Sequence, residues 1–350
     1  MSPSSPMLHR NVTSEVETRT SPPPPLLMLE GDRFELSADG ISRTAYRLAR
    51  PGPYDRLLVE ELYDIKKAAK TFILRRAEHD QFVQDTFSSR KTSNANIDLG
   101  SAYQTIELQE LDAAEVDVVG TGAMSWESSI AMSLFFSSHP SLLSGNILEL
   151  GSGCGHGGIL VLSQLDNSVP SPIGSFLFTD YNDEILHQCG RNIHNAFSKN
   201  SISSQVHCQT KILDWNCFAT DEGITHCNLP QYTTILASDC AYRYCDIEPL
   251  SETIVRLLSV SHDACFHTFG PINRGALHSL IDALRIKDVE VEVKILEMER
   301  FRLLPSGNRN VSLEKTAQHA SVGNAKILHI TARRRHADDD DSDESSDMRA

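Results

Sequence analysis

Two short stretches of this 350-residue chain carry side chains able to do chemistry. In "TTILASDCAY", Asp239 and Tyr242 set a carboxylate and a phenol directly behind an apolar run. If that run is a strand of an open α/β sheet, its C-terminal end faces a ligand crevice. There the acid can orient an amine and the ring can lie against a cation. In "NILELGSGCGHGGIL", Asn146 to Leu160, four glycines fall within seven residues behind another apolar run.

Glycine turns of that kind hold dinucleotides, nucleotide phosphates or S-adenosyl-L-methionine, and the turn alone does not choose among them. Gly153, Gly155 and Gly158 satisfy the dinucleotide spacing G-x-G-x-x-G, a weak signal by itself. Glu149, two residues before Gly151, suits a ligand with a cationic amino group and would repel a pyrophosphate. Asp180, closing the run "GSFLFTD", can accept both hydroxyls of a ribose, which either adenosine ligand carries. Its alternative role is to cap a helix at 182–197.

The elements that must hold these groups follow from periodicity. From residue 146 the pattern alternates strand and helix. Strands are expected at "NILEL", "GSFLFTD", "SQVHCQTKIL", "YTTILASD", "ACFHTFGP", "VEVKILEME" and "AKILHITAR", with helices at 157–165, 182–197, 246–260 and 273–285. That alternation implies a parallel sheet with helices on both faces. The last two strands have no helix between them and are expected to pair antiparallel. Upstream, the spacing of apolar residues in 58–88 predicts one or two helices. "AYQTIELQEL" and "VDVVGTG" read as a hairpin, and "SWESSIAMSLFFSSHPSLL" as a helix capped by Ser125 with one apolar face.

Composition narrows the class. Hydrophobic content of 40% and charge of 23% are those of a globular protein, and a net charge of −15 argues against a nucleic-acid-wrapping surface. No apolar run is long enough for a membrane span. The start of the chain lacks the apolar region of a secretory signal, so the expected setting is the cytoplasm or nucleus. There the eight cysteines stay reduced, and the sequons at Asn11 and Asn310 are chance matches. No cysteine or histidine spacing suggests a metal site. The chain divides into a Pro/Ser-rich, mostly disordered segment (1–57, with four prolines at 22–25), a helical and hairpin extension (58–120), the main domain (121–334) and a disordered acidic tail (335–350).

Four stretches in this order, "ILELGSGCGHGGIL", "FTDYNDEILHQCGRNIHNA", "LDW" and "ASDCAYRYCDIEPLSETI", resemble the seven-β-strand S-adenosylmethionine-dependent protein methyltransferases. They most resemble the branch that methylates lysines of non-histone proteins and carries an acid-x-x-aromatic motif after strand four. The resemblance spans about 120–330 and implies a Rossmann-like seven-stranded sheet with its last strand antiparallel. It puts Glu149, Gly151, Gly153 and Gly155 along the methionine part of the cofactor, Asp180 on the ribose with Tyr181 beside it, and Asp214 and Trp215 at the adenine. Trp126 matches an aromatic in the helix over the cofactor, and Ser238 completes the cofactor set. Asp239 and Tyr242 become the catalytic pair. Sixteen residues, 216–231, separate "LDW" from the next strand, more than the family pattern leads one to expect, and such a loop can shape substrate access.

A lysine amine with a pKa near 10.4 is neutral in roughly one molecule in 2,500 at pH 7, so a methylating site must hold the neutral form in line with the bond that breaks. A carboxylate beside an ammonium opposes its deprotonation, which assigns Asp239 to positioning and not to general-base work. Phe269 and Arg274, in "TFGPINR", are offered to the same rim, Phe269 against the substrate chain. The expected partner is a protein substrate, met by a monomer, with neither nucleic acid nor membrane. Three alternatives stay open. They are methylation of protein histidine or a small molecule, a non-catalytic module of the same fold, and a dinucleotide oxidoreductase, which lacks a catalytic Tyr-x-x-x-Lys here.

Overall fold

The structure, a computed structural model, describes residues 41–48, 57–64, 69–76, 103–111, 122, 126–165, 172–199, 201–220, 229–261, 263–302 and 321–335. In chain order the elements are β1 (Ile41–Leu48), β2 (Leu57–Asp64), β3 (Ala69–Arg76), β4 (Tyr103–Gln109), α1 (Glu127–Ser138), β5 (Gly145–Leu150), α2 (His156–Leu162), β6 (Ile173–Asp180), α3 (Asp183–Ser198), β7 (His207–Ile212), α4 (Trp215–Phe218), β8 (Thr234–Ser238), α5 (Ile247–Val260), β9 (Cys265–Pro271), α6 (Gly275–Ile286), β10 (Val289–Arg302) and β11 (Ser321–Arg334).

These strands form one sheet, in the order β4-β3-β2-β1-β10-β11-β9-β8-β5-β6-β7. Strands β5 to β9 run parallel, and β11 lies antiparallel between β9 and β10. The seven strands from β5 onward are the Rossmann-like methyltransferase sheet expected from the sequence. Ile147 to Leu150 and Thr234 to Ala237 are buried without alternation, as strands covered on both faces require. One face packs α5 and α6 against Leu148, Ile235 and Phe266. The other packs α1, α2 and α3 against Ile147, Phe176 and Phe178.

The N-terminal extension differs from its expectation. Where helices are read over 58–88, the described part is the two strands β2 and β3, and 77–88 lies outside the described residues. A further strand, β1, occupies part of the segment expected to be disordered. Strands β1 to β4 form an antiparallel meander, and β1 joins it to the main sheet by pairing with β10. The local pattern misleads because the inward row of β3 reads Lys70, Phe72, Leu74, with a charge at the apolar phase. Lys70 is half-buried there between Glu61 at 3.4 Å and Glu110 at 3.2 Å. Burial pulls the lysine pKa down, but the two carboxylates outweigh it and leave the pKa raised.

The meander covers the helices on their outer side. Tyr46, Val59, Phe72, Leu74, Ile106 and Leu108 share one core with residues of α1, α2 and α3. Helix α1 is consequently buried from Ser128 through Phe136 and not on one face alone. Its N-cap is Trp126, which makes no side-chain capping bond, and the expected cap Ser125 lies outside the described residues. So do "VDVVG", the tails at 1–40 and 336–350, both sequons, and 221–228 within the long loop.

Candidate active site

The turn after β5 is built on positive φ angles at Gly151 (58°), Gly153 (54°) and Gly155 (84°). The space around it excludes side chains as well. A Cβ on Gly153 would stand 2.5 Å from the carbonyl oxygen of Gly122, and one on Gly151 2.7 Å from Cys240 Sγ. The Gly122 carbonyl accepts the Cys154 N–H at 3.1 Å, closing the turn from above. Asp180, at the end of the neighbouring β6, accepts from the Gly153 N–H at 3.1 Å and the Asn182 N–H at 3.2 Å. Helix α3 is capped by Asn182, whose side chain accepts from Glu184 and Ile185 N–H groups, so Asp180 is not its cap.

Beside this turn opens a cleft of about 280 Å³. It lies where the connections from β5 and β8 leave the sheet in opposite directions, the place at which open α/β sheets bind ligands. Ten of the twelve residues expected at the site line it: Trp126, Gly151, Gly153, Asp180, Tyr181, Asp214, Trp215, Ser238, Asp239 and Tyr242. Each stands at the end of a strand, in the loop that follows one, or at the start of a helix, which is why scattered sequence positions converge. Trp126 is 38% exposed, so it is no core tryptophan. Asp214 caps the short α4, accepting the Asn216 N–H at 2.9 Å, and sets Trp215 beside Gly151.

Two of these twelve residues do not line the cleft. Glu149 is buried beneath the turn at 1% exposure, against Gly157 and Gly158. Burial pushes its pKa up to about 8, opposed by the Gly158 N–H and assisted by the charge of Asp180. Gly155 caps α2 from the far side of the turn, against Cys189. Phe269, expected at the substrate, is fully buried. It stacks on His329 at 4.6 Å and packs against Phe135 and Phe136. An inward row on a strand covered on both faces has no sequence mark that separates core from crevice.

Asp239 is neither free nor a helix cap. Its side chain is 4% exposed, and both oxygens take hydrogen bonds from Arg274, at 3.1 and 2.8 Å. Burial raises its pKa, and the guanidinium pulls it back. Sequence reading missed three further lining features. Arg243 and Asp246 form a two-bond ion pair at 2.6 and 2.9 Å, signalled only by their i,i+3 spacing. Ser129 of α1 meets Ser238 at 3.0 Å between hydroxyls, and His156 opens α2 at the cleft wall.

Residues 105–269 match the model of a family described as lysine methyltransferase. That stretch is just under half of the chain, and with the sheet above it makes this chain similar to the seven-strand S-adenosylmethionine-dependent methyltransferases. Among solved structures, the chain is similar to a ribosomal protein L11 methylase from Lactobacillus delbrueckii subsp. bulgaricus, with 15% identity over 61% of this chain and 81% of that one and a TM-score of 0.36. It is also similar to a magnesium protoporphyrin IX methyltransferase from Synechocystis PCC 6803 with bound SAH (12% identity, 64% and 89%, 0.36) and to a putative RNA methyltransferase from Pyrococcus horikoshii (9%, 59% and 83%, 0.36). No curated protein sequence matches it. S-adenosylmethionine, the cofactor of such methyltransferases, suits the residues present. The glycines of the turn leave room for close backbone approach, and Asp180, Asp214 and Trp215 offer carboxylates and an indole to the same cleft. No helix among the described residues is long and apolar enough to cross a membrane.

Proposed function

We propose that this methyltransferase modifies a lysine side chain of a non-histone protein, acting as a monomer in the cytoplasm or nucleus, with neither nucleic acid nor membrane as partner. The observation that carries the lysine reading is the acid-x-x-aromatic pair, Asp239 and Tyr242, lining the cleft shared with the glycine turn and Asp180. The description of the matched family, lysine methyltransferase, supports it.

S-adenosylmethionine supplies the methyl carbon, its carbon–sulfur bond breaking with the electron pair left on sulfur as the amine lone pair forms the new nitrogen–carbon bond. The protein's part is to present that lone pair in line and keep competing water out. Asp239 uses one lone pair of each oxygen on Arg274 and keeps others for an N–H of the amine. The Tyr242 ring, 37% exposed at the mouth, gives the alkylated nitrogen an aromatic face as it gains positive charge. Trp126 and Tyr181, 38% and 58% exposed, line the same cleft on the side assigned to the cofactor.

Lysate from cells lacking this protein, incubated with the purified chain and methyl-labelled S-adenosylmethionine, should yield a labelled protein band whose modified residue is lysine. Label on histidine, or on a small molecule alone, would replace the lysine reading. In the same assay Asp239→Ala should bind cofactor nearly as the parent does, while turnover drops by about 10² or more. Unchanged turnover in that variant would remove Asp239 from the reaction.

A further inference from the structure

Arg274 stands between β9 and α6 and reaches across to the end of β8. Its Nε donates to Asp239 Oδ1 at 3.1 Å and its Nη2 to Oδ2 at 2.8 Å, a parallel two-bond fork. The carboxylate it holds is 4% exposed and the guanidinium 35% exposed, and both line the cleft. The backbone is fixed to suit. Asp239 sits at a φ of 52°, unusual for a residue other than glycine, and its N–H donates to the Phe269 carbonyl at 2.8 Å.

We infer that Arg274 is a positioning residue that sets the charge of the lysine site, cancelling Asp239 so that the target amine is held neutral and nucleophilic. The inference rests on the lysine reading above. A carboxylate alone within about 4–6 Å of an ammonium raises its pKa by roughly 1–3 units, which would lock the amine in its unreactive form. With the guanidinium bonded to both oxygens, the acid still accepts an amine N–H but contributes almost no net attraction for the extra proton. That proton passes to water before transfer, leaving the lone pair free.

The other groups facing the cleft do not undo this balance. Arg243 and Asp246, following β8, cancel each other through their own two bonds. His156 of α2 is kept neutral by burial, its pKa lowered to about 4. Tyr181 after β6 and Tyr242 after β8 contribute phenols, and Cys240, beside Asp239, a buried thiol that burial holds neutral. Asp180 and Asp214 carry the remaining negative charge, and they stand at the ends of β6 and β7, across β8 and β5 from Arg274 in the sheet.

The test is the pH dependence of the single-turnover rate, with saturating labelled S-adenosylmethionine and the acceptor protein isolated by the labelling experiment. In the parent chain, the pH at which the rate reaches half its plateau should lie below the ordinary lysine value of about 10.4. Arg274→Gln should move that midpoint up by about one pH unit or more. Arg274→Lys keeps the charge without the fork, and should leave the midpoint in place while the plateau falls. Cofactor affinity, measured separately, should be unchanged in both. A midpoint common to the parent and Arg274→Gln, or one shifted equally by Lys and Gln, overturns the inference while lysine methylation stands. Should Arg274→Gln fail to fold, a parent midpoint at or above 10.4 overturns it equally. Label on a residue other than lysine removes the lysine reading itself and is seen before any variant is made.

Discussion

Glu149 and Asp180 stand on adjacent strands and carry the same functional group, yet their surroundings give them different work. Glu149 is sealed under the glycine turn with Oε2 lacking any partner, whereas Asp180 accepts backbone N–H groups and opens on the cleft. The consequence for Glu149 is measurable in the cofactor-free chain. Its pKa in the fold, about 8, exceeds its ordinary 4.5, so the stability it contributes is complete below pH 4.5 and is lost as pH rises through 8. Glu149→Gln should remove a decline of about 1.4 kcal/mol per pH unit between roughly pH 5 and 8. Urea melts across that range would read it, and superimposed profiles for parent and variant would mean that Glu149 is ionised in the fold. At this scale much of the site was legible. Asp180, Asp214, Ser238 and Asp239 all close apolar runs, and the ends of parallel strands face the crevice. Phe269 was misjudged because β9 is buried on every residue from Cys265 to Gly270, leaving no alternation to tell crevice from core.

Between elements, the join that matters most to the site is made by one side chain. Asn192 of α3 exchanges hydrogen bonds with the edge of β4, its Oδ1 accepting the Gln109 N–H and its Nδ2 donating to the Gln109 carbonyl, each at 2.9 Å. The same Nδ2 donates at 2.9 Å to the carbonyl of Cys154, inside the glycine turn. One buried amide thus replaces a missing neighbour strand and ties the meander to the cofactor turn. Asn192→Ala removes the bonds to the Gln109 N–H and the Cys154 carbonyl, while the Gln109 carbonyl keeps Gln188 Nε2 at 3.3 Å, and should cost about 2–6 kcal/mol, at roughly 1–3 for each of the two bonds lost. Hydrogen exchange should then quicken at the Gln109 amide and in the turn. Exchange quickening at Gln109 alone would mean that the turn holds itself. Of the extension, the strand β4 was legible in "AYQTIELQEL", whereas β2 and β3 were not. Glu, Lys and Ala favour helix locally, and Lys70 breaks the apolar phase of its strand, so only pairing with β10 decides the outcome. From residue 146 onward local pattern and tertiary structure agree, and every expected strand and helix is present within a few residues of its place.

Across the whole chain, 47 acidic residues outweigh 32 basic ones. A lysine-bearing acceptor segment of basic character should therefore meet this protein faster at low salt. Raising salt from 50 to 300 mM should increase KM for such an acceptor by about threefold or more and change kcat by less than about twofold. A KM indifferent to salt would mean that long-range charge plays no part in capture. The topology also dictates the order in which the molecule can be finished. Thr44 is paired with Arg302, and β11, the last strand made, enters the sheet between β9 and β10. At a synthesis rate of about 5–20 residues per second, β1 leaves the ribosome roughly ten to fifty seconds before the strand that receives it. Throughout that interval the nascent meander has an open edge and a half-covered apolar face, exposed to any other chain able to pair with them. A transcript cut short before β10 therefore yields a protein with its glycine turn already translated and the roof over α1 held from its β4 side alone.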